Sequence, residues 1–164
     1  MGTPVGFVGR REEVRVLEAR LADAEFGHPQ VVFIEAEAGA GKSTLLSSFL
    51  AAHTEALILQ ISGEESESLL SYGVVDQLRP GVVTDPSADP MAVGAELVDF
   101  LDRIQTKDQV VVISVDDLHW ADRYSARALL FALRRLRGDR VLAIACARTD
   151  EVTDPGWVRF IGGG

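Results

Sequence analysis

Disulfides are excluded within this chain, because Cys146 is the one cysteine among 164 residues, a usage that fits a reducing compartment. Aromatics make up only 7%, and basic residues are outnumbered, with 16 Lys and Arg against 25 Asp and Glu and a formal net charge of −9. Gripping a nucleic-acid backbone takes clustered cations. The richest cluster, "RRLRGDR" at 134–140, reads as the solvated C-terminal end of a helix, so direct nucleic-acid contact is not expected. No apolar run approaches the roughly 20 residues needed to span a bilayer. The N-terminal "MGTPVGFVGRREE" has neither a signal-peptide apolar core nor the Ser or Thr of a myristoylation site. These absences predict a soluble cytoplasmic protein with no membrane partner.

What is present suits one domain over residues 1–164, with 47% hydrophobic and 25% charged residues. Short β-branched runs alternate with longer helical patterns. "RREEVRVLEARLADAEFG" sets Val14, Leu17 and Leu21 on one helical face and ends near Gly27. "VVFIEA" and "EALILQIS" read as strands, and "YGVVDQLRP" as a short helix stopped by Pro80. Asp89-Pro90 is a helix start, with an N-cap residue and a proline in the first turn, followed by Val93, Leu97, Phe100, Leu101 and Ile104 at helical spacing. "QVVVISVDD" is a continuous apolar run of the kind buried on both faces of a parallel sheet. "ADRYSARALLFALRRLRG" reads as a helix with Leu129, Leu130, Leu133 and Leu136 inward and Gly138 as its stop. "RVLAIACART" closes as a strand, and "DPGWVRFI" as one last turn. This alternation predicts a three-layer α/β sandwich around a mainly parallel sheet.

Between "VVFI" and the next helix stands "EAEAGAGKST", with the spacing of a phosphate-binding loop but Ala36 in the place most often held by glycine. Gly39 and Gly41 permit close backbone approach, so the N–H groups of Ala36, Glu37, Ala38, Gly39, Ala40 and Gly41 can form an anion nest. The helix that starts near Lys42 points its positive end at the same place. Lys42 supplies a mobile charge for β- and γ-phosphates, Ser43 a hydroxyl ligand for Mg²⁺, and Thr44 is placed to reach the α-phosphate. Glu37 is compatible if its side chain faces solvent.

"VVVISVDD" delivers Asp116 and Asp117 at the C-terminal end of a buried strand, the edge where open α/β sheets bind ligands. Asp116 is the candidate Mg²⁺ ligand and Asp117 the candidate base for water. Taken alone, the pair reads equally well as a turn cap; the loop upstream favours function. Arg148, after "VLAIACA", lies at the same edge. It is either a sensor of the γ-phosphate or a surface arginine paired with Asp150 or Glu151. Trp120 reads as packing, Cys146 as core filler, and His119 has no assigned role.

Together "FVGRREEVRVLEARL", "EAEAGAGKST", "SYGVVDQL", "VVVISVDDLHWAD" and "ACART" resemble the nucleotide-binding (AAA-type, STAND) ATPase domain of LuxR-type (MalT-like) bacterial transcriptional regulators, over about 7–157. The resemblance implies the P-loop NTPase fold of the ASCE/AAA type and binding of ATP or ADP with Mg²⁺. It implies that Val8, Gly9 and Arg10 border the adenine and ribose, that Asp116 and Asp117 are the Walker B pair, and that Arg148 is the sensor arginine. It also implies a last strand beside "VVFIEA" and a lid, which the sequence does not supply. The chain is therefore expected to be a truncated domain whose "VVFIEA" strand is an exposed apolar edge, open to self-association or to missing downstream domains.

Asp117 stands where motor-type relatives often carry Glu. One methylene fewer withdraws the carboxylate by about 1–1.5 Å, and a misplacement of about 1 Å can cost ~100-fold in rate. Slow hydrolysis suits a regulatory switch. The alternatives are a working ATPase coupled to macromolecule remodelling or DNA loading, and a degenerate non-hydrolysing scaffold.

Overall fold

Four of the strands form where aliphatic or β-branched residues run together, and helices carry the chain back over the faces of the sheet between them. The computed structural model describes residues 2–5, 10–35, 41–81 and 85–162. In chain order these build β1 (Gly2–Val5), α1 (Arg10–Glu25), β2 (Gln30–Glu35), α2 (Lys42–Ala52), β3 (Leu57–Ser62), α3 (Gly73–Leu78), α4 (Pro90–Ile104), β4 (Val111–Asp116), α5 (Arg123–Leu133), β5 (Val141–Ala147) and α6 (Pro155–Gly162). The five strands are parallel, in the order β1-β2-β5-β4-β3.

Alternation along the strands divides the core in two. Val32, Ile34, Val112, Leu142 and Ile144 face Leu17 and Leu21 of α1 and Leu46 and Phe49 of α2. Val31, Phe33, Ile113, Val115 and Ala143 face the other way, toward Val75, Leu97, Leu129 and Trp157. The central strand β5 has no exposed residue, as its unbroken apolar sequence requires. Cys146 is part of that strand and fully buried. The architecture is the three-layer sandwich that the strand–helix alternation predicts. Among the described residues no helix is long and apolar enough to cross a membrane.

Two expectations are corrected. The "VVFIEA" strand is not a bare edge: β1 pairs with β2 from Gly2↔Val31 to Val5↔Ile34, so β2 has neighbours on both sides. An unmet row of backbone N–H and C=O groups recruits whatever segment reaches it, and here four N-terminal residues do. Second, α5 ends at Leu133 rather than Gly138. Residues 134–140 form the turn into β5, in which the Asp139 carboxylate accepts from the Arg137 N–H at 2.6 Å and Gln105 Oε1 accepts from the Arg140 N–H at 2.8 Å. Leu136 nevertheless stays buried, and the basic cluster is a loop rather than a helix end.

Candidate nucleotide site

Parallel strands bring their C-terminal ends to one side. The register Glu35↔Ala147 and Ser62↔Asp116 puts the ends of β2, β5, β4 and β3 on a single edge. Helix α2 starts there. Its N-cap, Gly41, has φ 79°, a left-handed conformation that favours glycine. With its carbonyl accepting from the Leu45 N–H at 3.0 Å, the first turn of α2 is set toward the strand ends.

The contact that joins loop and strand is direct. Ser43 Oγ donates to Asp116 Oδ2 at 3.1 Å, across 73 residues of sequence. The other oxygen of Asp116 accepts from the Asp117 N–H at 3.0 Å, which fixes the carboxylate plane. An alcohol and a carboxylate at this separation are hard oxygen donors, and they suit Mg²⁺, which takes one or two protein ligands and draws the rest from water and phosphate. Among the described residues no cluster of three or more His, Cys, Asp or Glu could hold a metal by itself. A cleft of about 290 Å³ lies beside the pair, lined by Ser43, Ser47, Gln60, Ser62, Gln77 and Asp116. Gln77 is fixed in its lining, accepting from the Ser62 N–H and donating to the Ser62 carbonyl, both at 2.9 Å.

A second group sits around Asp117, which adopts φ 47° and ψ 46° and so turns the chain out of β4. The turn is possible because residue 63 is glycine: a Cβ there would collide with the Asp117 carbonyl and lie 2.6 Å from the Ala121 nitrogen. The His119 side chain is only 1% exposed. Its Nδ1 accepts from the Arg148 N–H at 3.4 Å, which puts the ring proton on Nε2. That Nε2 lies 3.4 Å from Glu151 Oε2 and 3.9 Å from Asp117 Oδ1, yet neither carboxylate is aligned to accept from it, so it is buried without a hydrogen bond. Arg148 Nη1 donates to Glu151 Oε1 at 2.7 Å. That hydrogen bond, followed by the Glu151 charge and more weakly by Asp117, holds the guanidinium above its ordinary pKa.

The structure thus brings together Ser43 with Asp116, and Asp117 with Arg148 through His119 and Glu151. Thr44 is exposed on α2. Val8, Gly9, Ala36, Glu37, Ala38, Gly39 and Ala40 lie outside the described residues, as do the side chains of Arg10 and Lys42, whose backbones open α1 and α2. The reading of Arg148 as an arginine paired with Glu151 is observed directly, and its position at the sheet edge leaves the sensor reading intact.

Sequence reasoning named Glu151 as one of two candidate partners of Arg148 but missed two residues. Gly63 gave no signal. Asp122, last acid of "DDLHWAD", is 3% exposed and accepts from the N–H groups of Tyr72 at 2.9 Å, Val74 at 3.4 Å and Ser125 at 2.8 Å. It is a structural carboxylate that caps α5 and docks α3; its N-cap spacing before "RYSA" was the available clue.

The structure of C. elegans PCH-2 superposes with a TM-score of 0.54 at 14% identity, covering 93% of this chain and 41% of that one. The likeness is one of fold, that of P-loop NTPases, and the chain spans less than half of that protein's length. No curated protein matches the sequence. The model of the AAA ATPase domain family, however, matches residues 6–144, which carry both the phosphate-loop sequence and the acidic strand end. The chain belongs to the AAA ATPase domain family.

Proposed function

We propose that residues 1–164 act as a single ATP-binding switch domain, hydrolysing ATP slowly with Mg²⁺, in a cytoplasmic transcriptional regulator of the LuxR-type STAND group. The observation that carries the reading is the Ser43–Asp116 contact at 3.1 Å, which joins the start of the loop helix to the acidic strand end. The backbone of 36–41 and Lys42 cradle the phosphates, and Val8, Gly9 and Arg10 border adenine and ribose. Ser43 and Asp116 hold Mg²⁺, which when bound neutralises charge on the β- and γ-phosphate oxygens.

Asp117 accepts a proton from water as the water oxygen bonds to the γ-phosphorus. The bond from that phosphorus to its bridging oxygen breaks, and ADP and inorganic phosphate result. Arg148 stabilises the γ-oxygens. The short side chain of Asp117 keeps the rate low, which lets the bound nucleotide mark a state and supports regulation, through self-association or downstream domains, rather than work.

Titrating labelled ATP with and without Mg²⁺ tests the reading. Lys42→Ala is expected to weaken binding by about 100-fold, and the parent to turn over below about 0.01 s⁻¹, as slow nucleotide switches do. A Lys42→Ala variant that binds as well as the parent overturns ATP binding. Fast turnover driven by nucleic acid overturns the switch and favours a working ATPase.

A further inference from the structure

We infer that Glu151 limits the preference for triphosphate over diphosphate, because it holds the Arg148 guanidinium that a γ-phosphate has to take. The inference rests on the ATP-binding reading above and concerns how that site tells its two nucleotides apart.

The short helical turn at Thr149–Glu151 keeps the pair in register, with the Glu151 N–H donating to the Arg148 carbonyl at 3.1 Å and the side chains meeting at 2.7 Å. In this arrangement one arm of the Arg148 fork, Nη1, is held by its own chain. A γ-phosphate offers three charged oxygens and up to two negative charges against the single charge of one carboxylate, so it outcompetes Glu151; ADP has no group at that distance and does not.

Glu151 also has somewhere to go. Its second oxygen is already 3.4 Å from His119 Nε2, a buried N–H without an aligned acceptor. Releasing Arg148 frees the carboxylate to rotate and accept that proton fully, which offsets part of the lost pair. Glu151 and His119 both line a cavity of about 420 Å³, so the rotation meets open space; of the charged groups that share it, Arg127 is paired with Asp154 at 3.2 Å. The exchange thus trades one misaligned contact and one good pair for two good pairs. His119 is a positioning residue in it, acting through Glu151.

The pair is about one-third exposed on each side, so its hold is modest. Glu151→Gln is therefore expected to tighten a non-hydrolysable β,γ-imido ATP analogue about fivefold in the presence of Mg²⁺, while ADP changes less than about twofold. Equilibrium binding of both nucleotides to the full chain reads the ratio directly, and because a gain is expected, misfolding cannot imitate it. Adding Arg148→Ala to Glu151→Gln should abolish the gain, and Glu151→Asp, which keeps the charge but shortens the reach, should give a smaller one. An unchanged ratio, or equal tightening of both nucleotides, overturns the clamp while leaving ATP binding in place. A parent chain that binds neither nucleotide overturns the ATP-binding reading and the clamp with it.

Discussion

The two halves of the nucleotide edge differ in what their polar groups already hold. On the β4–α2 side, Ser43 and Asp116 hold each other through one bond between weakly competing partners, with an open cleft beside them. On the β4–β5 side, Arg148 is engaged by a charged partner of its own chain and His119 is buried against two carboxylates. On the proposed reading, a ligand enters the first half by replacing a hydroxyl–carboxylate hydrogen bond with a metal. It enters the second only by displacing an ion pair. On the proposed reading, the first half offers open donors to a ligand, and the second tempers the choice between nucleotides.

Breaking the first half should have the largest effect. Asp116→Asn is expected to remove the Mg²⁺-dependent part of ATP affinity, about 100-fold, with metal-free affinity nearly unchanged; titrations in Mg²⁺ and in EDTA measure both. Within the second half, Asp117→Glu restores the missing methylene and should raise kcat about tenfold at unchanged KM, as read by steady-state phosphate release. A fall in kcat would show that the reach of Asp117 does not limit the rate.

The smallest effect lies behind the first half, where α2 is tied to α1. His53 bridges Glu18 at 3.0 Å and Glu55 at 3.1 Å. Burial opposes its charge, but the hydrogen bonds to Glu18 and Glu55 and their charges outweigh it and raise its pKa. A raised folded-state pKa means the stabilisation is full below the unfolded value of about 6.5 and is lost as pH rises through the folded value. The Tm of the parent should exceed that of His53→Ala by about 2 °C at pH 5.5, and the gap should narrow by pH 8.5. Nucleotide discrimination should not follow that titration, since His53 touches neither half.

Much of this comparison was legible in residue order. "QVVVISVDD" could only be a strand buried on both faces, and its acids had to emerge where α2 begins, so Ser43 and Asp116 were foreseeable as partners. The second half was less legible because its contacts depend on two consecutive turns. The left-handed Asp117 and the closeness of Gly63 decide where His119 points, and neither leaves a periodic trace. Glu151 sat at a spacing that allowed a pair with Arg148 but could not be told from Asp150. β1 was invisible for another reason. "GTPV" contains a glycine and a proline, both poor strand formers, and it is ordered by the free edge of β2 rather than by its own preference. The end of α5 was misread because Arg and Leu favour helix locally, whereas the return to β5 does not allow it.

The place of β5 in the sheet has a bearing on how the molecule is made. It is the fifth of these strands in chain order, yet it lies between β2 and β4, and Gln30 must wait for Leu142 before that side of β2 is satisfied. Until β5 inserts, β1–β2 and β3–β4 are separate pieces with no ladder between them. Such non-local closure is slow and comes late. Ser43 rides on the first piece and Asp116 on the second, so their contact cannot form before β5 is seated. The two ends of the proposed site therefore come together only when the sheet has closed around β5.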